Sequence, residues 1–487
     1  MAHDVNASPP SRPMLRVWAR ADHAISRKDL SPNAVKVLYR LIQAGYEAYL
    51  VGGCVRDVLL GQTPKDFDVA TSAKPEEIKQ LFRNSRLIGR RFRLAHVRIG
   101  GETIEVSTFR SQVASETGTD GQEGTSLVMA PSGMIMEDNV YGTKDEDALR
   151  RDFTINALYY TPADFSLHEY VGGLADLEAR ILRTIGVPAV RFREDPVRML
   201  RAVRLAAKLG MTIDADTLEP ISRLAPLLHG VPPARLLDEL QKMLLGGASR
   251  PTWALLHSTG LLAQLLPETL GALDGTGTKL LELAMSNTDQ RIRADKPVTP
   301  GFLFAVLLWP PLRKLLAGKT PDQDAITAAA IGVISRQNAI TSVPARFAGF
   351  AREVWELQPR LERAHPRRVR TLMEHPRFRA AYDFLVLRAQ AGEIGPERAA
   401  FWTSIQEDGH TAVADHGEAD TDDSPEPSTE PTSRRPRRRR RRSAGRSSPG
   451  GTPRADGDGD GDGDGDGDGN GGGGHEHAAP ATTKADE

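Results

Sequence analysis

The sequence predicts an α+β protein in which a small sheet with helices is followed by all-helical domains and a disordered C-terminal extension. Three observations favour this class. Up to about residue 175, apolar runs of strand length alternate with segments of helical periodicity. From about residue 215 to 405 the pattern is helical and rich in Leu, Ala and Arg. Beyond residue 406 the composition cannot bury a core.

Length and composition restrict the class of protein further. The chain has 487 residues, a formal net charge of −1 and one cysteine, and this length accommodates two to four structural units with ample core. The single Cys54 excludes a disulfide framework and a CxxC zinc site, as is typical of a reducing cytoplasm. No early apolar run resembles a signal peptide, and none has the length of a membrane span. We therefore expect a cytoplasmic protein that does not contact a membrane.

Changes in composition along the chain predict five segments. Residues 1–25 are polar and Pro-rich and are expected to be disordered. A head, a helical neck, a helical body with a tail, and a low-complexity extension follow, at residues 26–175, 176–245, 246–405 and 406–487. Within the head, a stretch rich in Gly, Ser, Thr and Glu at residues 111–130 is expected to be a mobile loop.

The stretch YLVGGCVRDVLLGQTPKDFD carries the first dense motif, in which a strand, a glycine turn, a short helix and a second strand follow one another. Gly52 and Gly53 form the turn, Arg56 opens the helix, and the second strand carries Asp66 and Asp68. Side chains two apart on a strand share a face, roughly 6.5–7 Å apart. Two buried carboxylates this close raise at least one pKa unless a cation compensates, and Mg²⁺ prefers such oxygens. The stretch predicts a nucleoside triphosphate site, with the backbone N–H groups of Gly52 and Gly53 and the Arg56 side chain on phosphate and the acid pair on metal.

A third carboxylate is expected near this pair. Gly100 and Gly101 predict a hairpin turn that leads into the strand TIEVSTF. On that strand Glu105 faces away from the apolar Ile104 and Val106, which makes Glu105 a candidate third acid of the site. An exposed strand glutamate without a role in the site is the alternative.

The segment RRDFTINALYY, which begins at Arg150, holds a second polar cluster in an apolar framework. The planar donors of Arg151 suit triphosphate oxygens, and Asn156 is a further candidate to contact the nucleotide. Asp152 can accept a hydrogen bond from a ribose hydroxyl or help to hold metal, so it competes with Glu105 for the role of third acid. A surface salt-bridge cluster is the alternative reading of Arg-Arg-Asp alone.

A helix is predicted over residues 191–209, after a second Gly-Gly turn in VGGLADL that is typical of a hinge. Asp195 and Arg198 are three residues apart, so their side chains can meet on this helix. Together they offer one acceptor and one donor fork to the edge of a base. A solvated ion pair at this spacing is the alternative.

The motifs GGCVRDVLL, DFD, RRDFTIN, VGG..DL and REDPVRMLRAVR, in this order, resemble the branch of polymerase-beta-type nucleotidyltransferases that holds the CCA-adding enzymes and bacterial poly(A) polymerases. The similarity covers about residues 30–245 and continues more weakly to 405. It implies a head with a small mixed sheet, followed by a helical neck, body and tail. It also implies that Asp66 and Asp68 bind two Mg²⁺, that Asp152 belongs to the catalytic site, and that Asp195 and Arg198 contact the base.

A further signature favours the poly(A) polymerase side of this branch. A branched-aliphatic pair, a glycine, two basic residues, a phenylalanine and an alternating apolar stretch with histidine match it at Leu87, Ile88, Gly89, Arg90, Arg91, Phe92, Leu94, His96 and Val97. Ser111 departs from the glycine that is more frequent in these proteins after TFR. A CCA-adding enzyme on the same fold and a nonenzymatic RNA-binding protein remain the alternatives.

The resemblance implies a reaction and its partners. AMP is transferred from ATP to RNA 3′ ends without a template, with Mg²⁺ as cofactor and pyrophosphate as product, in a process that promotes RNA turnover. The protein is expected to act as a monomer. The C-terminal extension adds a basic block that includes Arg437, Arg438, Arg439 and Arg440, and this block predicts salt-sensitive, sequence-independent RNA affinity.

Overall fold

The computed structural model describes residues 14–89, 93–111, 127–129, 134–318, 322–363 and 368–407. Within these ranges the strands are β1 Arg16–Trp18, β2 Ala48–Val51, β3 Asp68–Thr71, β4 Ser85–Ile88, β5 Leu94–Ile99, β6 Glu102–Thr108, β7 Leu127–Met129, β8 Ile135–Asp138, β9 Leu158–Tyr160, β10 Leu167–Glu169, β11 Ile181–Leu182 and β12 Thr212–Ile213. The helices of the head and neck are α1 Pro32–Gln43, α2 Gly53–Leu59, α3 Pro75–Leu81, α4 Lys144–Arg150, α5 Gly173–Glu178, α6 Pro188–Glu194, α7 Val197–Leu209, α8 Ala215–Leu224 and α9 Pro233–Leu244.

The remaining helices follow without intervening strands in the described part of the chain. They are α10 Ser249–Ser258, α11 Leu261–Leu265, α12 Pro267–Gly271, α13 Gly275–Arg293, α14 Pro300–Leu307, α15 Trp309–Leu316, α16 Gln323–Asn338, α17 Ala345–Glu362, α18 Val369–Met373, α19 Phe378–Ala391 and α20 Pro396–Glu407. The described residues all belong to one structural unit, so the boundaries at 175, 245 and 405 stay predictions. In the same ranges, no helix combines the length and the hydrophobicity that a bilayer crossing needs.

One mixed sheet organises the head. Its described strands lie in the order β1-β10-β9-β2-β3-β6-β5-β4, and all neighbours are antiparallel except β3 and β6. The predicted hairpin turn at Gly100 and Gly101 is present between β5 and β6, where Ile99 pairs with Glu102. The central strands β2 and β3 are therefore flanked on both sides, and this buries the strand residues around the glycine turn.

Helices cover this sheet through apolar side chains that the sequence spaces at helical intervals. The Ser31 hydroxyl caps α1 by accepting from the backbone N–H groups of Asn33 and Ala34, each at 3.2 Å. Val37, Leu38 and Leu41 of α1 then enter the core of the head. A larger, leucine-rich core joins α7 and α9 to the helices that follow, and a small separate core surrounds Trp402.

The amino-terminal boundary differs from the sequence-based expectation. Arg16–Trp18 forms the edge strand β1 and pairs with Leu167–Glu169, although we expect residues 1–25 to be disordered from their composition. A three-residue strand is too short to show the alternation of apolar and polar residues that marks longer strands. Residues 1–13 and the extension from 408 to 487 lie outside the described residues.

Candidate active site

The glycine turn lies at the end of β2, between an arginine and an acid. Gly52 has φ +73°, a conformation that L side chains rarely adopt. A Cβ atom at Gly52 would lie 3.6 Å from Arg151 Nη1 and 4.0 Å from Asp68 Oδ2. Gly53 begins α2, whose first N–H groups have no intrahelical acceptor. The turn therefore brings free backbone donors, a guanidinium and a carboxylate to one point.

Asp68 is the first residue of β3, opposite Val51 of β2 and beside Glu105 of the parallel strand β6. Burial, together with the negative charges of Glu105 and Asp66, raises the pKa of the Asp68 carboxyl to about 6, while Arg151 acts in the opposite direction. The acids lie close enough to repel one another, as the sequence predicts for a pair without a compensating cation.

Asp66 does not lie on the strand, which corrects the expectation that one strand carries both acids. The pairing between β2 and β3 ends at Val51 and Asp68, because β2 turns away at Gly52. The residues before Asp68 therefore have no partner on β2, and the Asp66 side chain is exposed. Asp66 is an accessible acid that precedes a half-buried one.

The two candidates for the third acid have different environments. Glu105 neighbours Asp68, its side chain is 52% exposed, and its Oε1 lies 3.2 Å from His96 Nε2. Asp152 accepts hydrogen bonds from Arg201 Nε at 2.8 Å and from Asn156 Nδ2 at 3.0 Å. Burial opposes these contacts, but the Arg201 charge and the hydrogen bonds hold the pKa of Asp152 below its usual range. Glu105 thus neighbours Asp68, whereas the Asp152 carboxylate is hydrogen-bonded to Arg201 of α7.

Three or more His, Cys, Asp or Glu side chains do not cluster as a ready metal site anywhere in the described ranges. Asp66 and Glu105 nevertheless both act electrostatically on Asp68, each raising the pKa of its carboxyl. A divalent cation bound between these acids would relieve their repulsion, because carboxylate oxygens are the ligands of hard cations.

Arg151 is held by two residues that the sequence-based reasoning does not single out. Its guanidinium donates to Asp147 Oδ2 from Nη2 at 2.9 Å and to the Tyr159 hydroxyl from Nε at 2.8 Å. The Tyr159 hydroxyl in turn donates to Asp147 Oδ2 at 2.7 Å. Asp147 is buried, and beside Arg151 its carboxyl has a pKa below the ordinary value even though burial opposes this. The spacing of four residues between Asp147 and Arg151 on a helical pattern is the signal in the sequence for this pair.

Arg56 and Asn156 are brought together in the interior. Arg56 Nη1 donates to Asn156 Oδ1 at 2.7 Å, and Arg56 Nε donates to Asp57 Oδ1 at 2.8 Å. Arg56 is buried, and Asn156 also donates to Asp152. Both residues connect α2 to the segment that carries Asp152, which links the two dense motifs of the sequence.

The helix predicted over residues 191–209 is broken into α6 and α7. Pro196 has no backbone N–H, and it disfavours helical dihedrals at the residue before it, so Asp195 adopts φ −148° and ψ 97°. Arg198 donates to Glu194 Oε2 and Asp195 accepts from Arg235, in place of the direct contact that their spacing suggests. The bend places Asp195 at a corner, where it faces α9.

A cleft of about 500 Å³ joins the head and this corner. Cations and carboxylates from α4, α7, α9 and the segments between elements line it: Arg110, Asp147, Arg150, Arg151, Asp152, Asp195, Arg198, Arg201, Arg235, Asp238, Glu239 and Lys242. The predicted nucleotide contacts Arg151, Asp195 and Arg198 thus share one cleft. Concave sites with convergent charged groups are where ligands bind in most proteins.

The second Gly-Gly segment is a packing contact. A Cβ atom at Gly173 would lie 2.2 Å from the Thr154 carbonyl oxygen, so only glycine permits α5 to approach the RRDFTIN segment this closely. Thr154 also donates its hydroxyl to Asp176 Oδ2 at 2.7 Å. Movement at this predicted hinge would have to separate Gly173 from Thr154.

Several predicted features lie outside the described residues. Arg90, Arg91 and Phe92 of the poly(A) polymerase signature belong to this group, as does most of the predicted loop from 111 to 130. The basic residues Arg437 to Arg440 do as well. His96 of the signature is described, and it contacts Glu105.

Comparison with solved structures establishes the class of fold. The "tRNA nucleotidyltransferase complexed with a primer tRNA and an incoming ATP analog" is 21% identical, with a TM-score of 0.50 over 76% of this chain and 98% of that chain. The Thermotoga maritima CCA-adding enzyme complexed with tRNA is 20% identical, with a TM-score of 0.53 over 79% of this chain and 83% of that chain. The predicted nucleotidyltransferase head with helical domains is therefore confirmed as a fold.

Sequence comparison identifies the family. Residues 48–183 match the poly A polymerase head domain, 210–273 the probable RNA and SrmB-binding site of polymerase A, and 318–443 the polymerase A arginine-rich C-terminus. Poly(A) polymerase I of Escherichia coli O157:H7 is 48% identical over 389 residues, which are 78% of this chain and 83% of that protein. The Haemophilus influenzae poly(A) polymerase I is 43% identical over 398 residues, which are 79% and 87% of the two chains.

The chain belongs to the bacterial poly(A) polymerase family. The CCA-adding enzyme of Bacillus subtilis is 38% identical over 232 residues, which are 48% of this chain and 55% of that protein. CCA-adding enzymes are therefore more distant relatives. The prediction that the chain is an enzyme, a poly(A)-polymerase-type nucleotidyltransferase, is confirmed.

Proposed function

We propose that the chain adds AMP from ATP to RNA 3′ ends and releases pyrophosphate, with Asp66, Asp68 and Glu105 as the metal-binding acids. One observation carries the assignment of the site. The Asp68 carboxyl has its pKa raised to about 6 by burial and by two neighbouring acids, at the point where the glycine turn and Arg151 meet. Acids that repel one another beside phosphate-binding groups are the arrangement that a metal-dependent phosphoryl transfer site needs.

Magnesium bound to these acids would lower the pKa of the attacking RNA 3′-hydroxyl and neutralise charge on the triphosphate and the departing pyrophosphate. Glu105 rather than Asp152 is our candidate for the third acid, because Glu105 pairs with Asp68 across β3 and β6. Asp152 already accepts hydrogen bonds from Arg201 and Asn156. We therefore assign to Asp152 the roles of positioning the ribose and of holding α7 in place.

The chain's own groups would position ATP without forming a covalent intermediate. Backbone N–H groups of Gly52 and Gly53, with the guanidinium of Arg151, would contact phosphate oxygens. Asp147 and Tyr159 fix the direction of that guanidinium, so that it is already oriented before the reaction begins. Asp195 and Arg198 would contact the base from the corner between α6 and α7, across the cleft that Arg151 also lines.

RNA would enter beside the incoming nucleotide. The cleft carries seven Arg and Lys side chains against five carboxylates, and RNA phosphates complement this excess of positive charge. The arginine block near residue 437 would add affinity without sequence preference. We propose that the protein acts in the cytoplasm as a monomer.

A direct assay tests the activity. Purified protein receives a generic RNA and each nucleoside triphosphate separately, with Mg²⁺ present and then chelated. ATP alone should extend the RNA, and chelation should stop extension. A requirement for CTP together with ATP, on a tRNA that lacks its 3′ end, would instead indicate a CCA-adding activity.

A substitution tests the assignment of the acids. Asp66→Ala should abolish addition while RNA affinity stays nearly unchanged, because the acid acts on metal and not on the RNA backbone. Asp216→Ala, which removes an exposed acid at the start of α8, serves as the matched control and should retain activity. Activity retained in Asp66→Ala would refute the assignment.

A further inference from the structure

Arg235 of α9 contacts Asp195 at the corner between α6 and α7. Arg235 Nη2 donates to Asp195 Oδ2 at 3.0 Å and approaches Oδ1 at 3.2 Å. The Asp195 side chain is 13% exposed and that of Arg235 is 34% exposed, so most of this ion pair is removed from water. Both residues line the same cleft as Arg151 and Asp152.

The backbone near Asp195 does little to fix the direction of the Asp195 carboxylate. Pro196 offers no N–H, and the contact from the Val197 backbone N–H to Asp195 Oδ1 is long, at 3.3 Å. Arg198, the cation three residues on, is engaged by Glu194 and by the Arg191 carbonyl oxygen. Arg235 contacts both oxygens of the carboxylate and so contributes to setting its direction.

The other arm of the same guanidinium differs from the first. Arg235 Nη1 is buried and makes no hydrogen bond to a described residue, whereas Nη2 is paired with Asp195. A buried donor without an acceptor costs free energy that a pairing partner would recover. Arg235 lines the cleft and its side chain is 34% exposed, so a rotation of the guanidinium as the cleft fills would bring Nη1 to an acceptor of the ligand.

We propose that Arg235 is a positioning residue that determines base specificity, by holding Asp195 as an acceptor and by offering Nη1 as the donor beside it. This inference rests on the proposed function. Adenine presents an amino donor next to a ring-nitrogen acceptor, which complements an acceptor and a donor side by side. Guanine presents a carbonyl oxygen at the corresponding place, and the Asp195 carboxylate would repel that oxygen.

The test compares nucleotide discrimination and not activity alone. The kcat/KM values for ATP and for GTP are measured on one RNA primer with the full chain, for the wild type, Arg235→Ala and Arg235→Lys. The ATP-to-GTP ratio should fall by about tenfold or more in Arg235→Ala, which corresponds to losing one specific base contact. Arg235→Lys should recover part of the ratio, since it keeps one donor for Asp195.

Two further measurements separate this role from a structural one. Arg223→Ala removes an exposed neck arginine whose ion pair with Glu219 is 3.7 Å long, and the ratio should stay at the wild-type value. RNA affinity should be unchanged in Arg223→Ala and in Arg235→Lys, which keeps the positive charge of the cleft. If Arg235→Ala melts at a much lower temperature, Arg235→Lys carries the test, and its ratio should still lie below that of the wild type.

The outcomes distinguish this proposal from the proposed function. A wild-type protein that extends RNA with none of the nucleotides would refute the proposed function itself. An active wild type, with an ATP-to-GTP ratio that stays the same in every folded Arg235 variant, would overturn only the role of Arg235. Equal losses for ATP and GTP would also overturn it, because they indicate a general effect on the cleft.

Discussion

Asp68 and Glu105 occupy paired positions on β3 and β6, the one parallel pair among the described strands of the main sheet. Residues in register on neighbouring strands project from the same face of the sheet, so the two carboxylates lie side by side, beside the glycine turn. The resulting repulsion contributes to the raised pKa of Asp68, which is about 6. The metal-free site is therefore electrostatically unfavourable at neutral pH.

The first prediction concerns Asp68→Asn in the metal-free protein. Because the pKa is higher in the folded state than the ordinary value of 3.8, the folded protein holds more protons between about pH 4 and 6. The stability contributed by Asp68 therefore falls as pH rises through this range. Asp68→Asn should be more stable than the wild type at pH 7 by up to about 3 kcal/mol, at about 1.4 kcal/mol of free energy for each tenfold change in proton affinity.

Urea unfolding in the presence of a chelator, at pH 4 and pH 7, measures this difference. The advantage of Asp68→Asn should be largest at pH 7 and small at pH 4. Added Mg²⁺ should stabilise the wild type more than the variant. An Asp68→Asn protein that is no more stable than the wild type at pH 7 would contradict the electrostatic account.

The second prediction separates the two candidates for the third acid. Glu105→Gln should lower kcat by about 100-fold or more and increase the Mg²⁺ concentration required, as expected when a charged group at the reacting centre is lost. Asp152→Asn should mainly raise the KM for ATP, because it weakens the contact with Arg201. Steady-state kinetics at several Mg²⁺ concentrations distinguish the two, and the reverse pattern would favour Asp152 as the metal ligand.

The third prediction concerns Asp147, which orients Arg151 from α4. Asp147→Asn removes a buried charge partner and should destabilise the fold by about 3 kcal/mol, the usual result of breaking a buried ion pair. The KM for ATP should rise about tenfold, because the Arg151 guanidinium loses its fixed direction. Denaturant unfolding and ATP titration at fixed RNA measure the two effects. An unchanged KM would show that Arg151 does not contact the triphosphate.

The fourth prediction addresses the packing of α5. Gly173→Ala brings a Cβ atom against the Thr154 carbonyl oxygen and should destabilise the protein by about 2 kcal/mol or more, since backbone atoms must shift. Gly275→Ala is the matched control, because its Cβ meets no atom within 4 Å. Thermal unfolding of the two variants should differ clearly. Equal melting temperatures would show that the contact can relax at little cost.

The fifth prediction concerns the basic block of the extension. Replacing Arg437, Arg438, Arg439 and Arg440 with Gln in the full chain should reduce the slope of log RNA affinity against log salt by up to about 3, at roughly 0.7 per phosphate contact. Fluorescence anisotropy at several salt concentrations provides the slope. A slope identical to that of the wild type would exclude the block from RNA binding.

The sequence predicts the order of the head elements well because its signals there are local. Ser31 and Pro32 mark the start of α1, and Gly100 and Gly101 mark the turn between β5 and β6. The position of Glu105 beside Asp68 follows from strand pairing, and the sequence supplies only the face of the strand. The choice between Glu105 and Asp152 could not be made from the sequence, since the partners of Asp152 on α7 are distant along the chain.

The remaining differences also arise from contacts between distant segments. Asp147 is an ordinary helix acid in the sequence, and its role follows from Tyr159 on β9, which meets it only in the folded head. The bend at Asp195 is local and could be read from Pro196, but the periodicity of the surrounding apolar residues hides it. Arg235 becomes visible only when α9 packs against that bend.

The bend at Pro196 has a consequence for how such enzymes diversify. The acids that would bind metal lie on β3, β6 and the residues before β3, whereas Asp195 and its partner Arg235 lie on the helical corner. On the proposed assignment of these residues, substitutions at the corner would alter which nucleotide is accepted and leave the chemistry of bond formation untouched. One fold would in this way support the addition of different nucleotides to an RNA 3′ end, by changes confined to the helical corner.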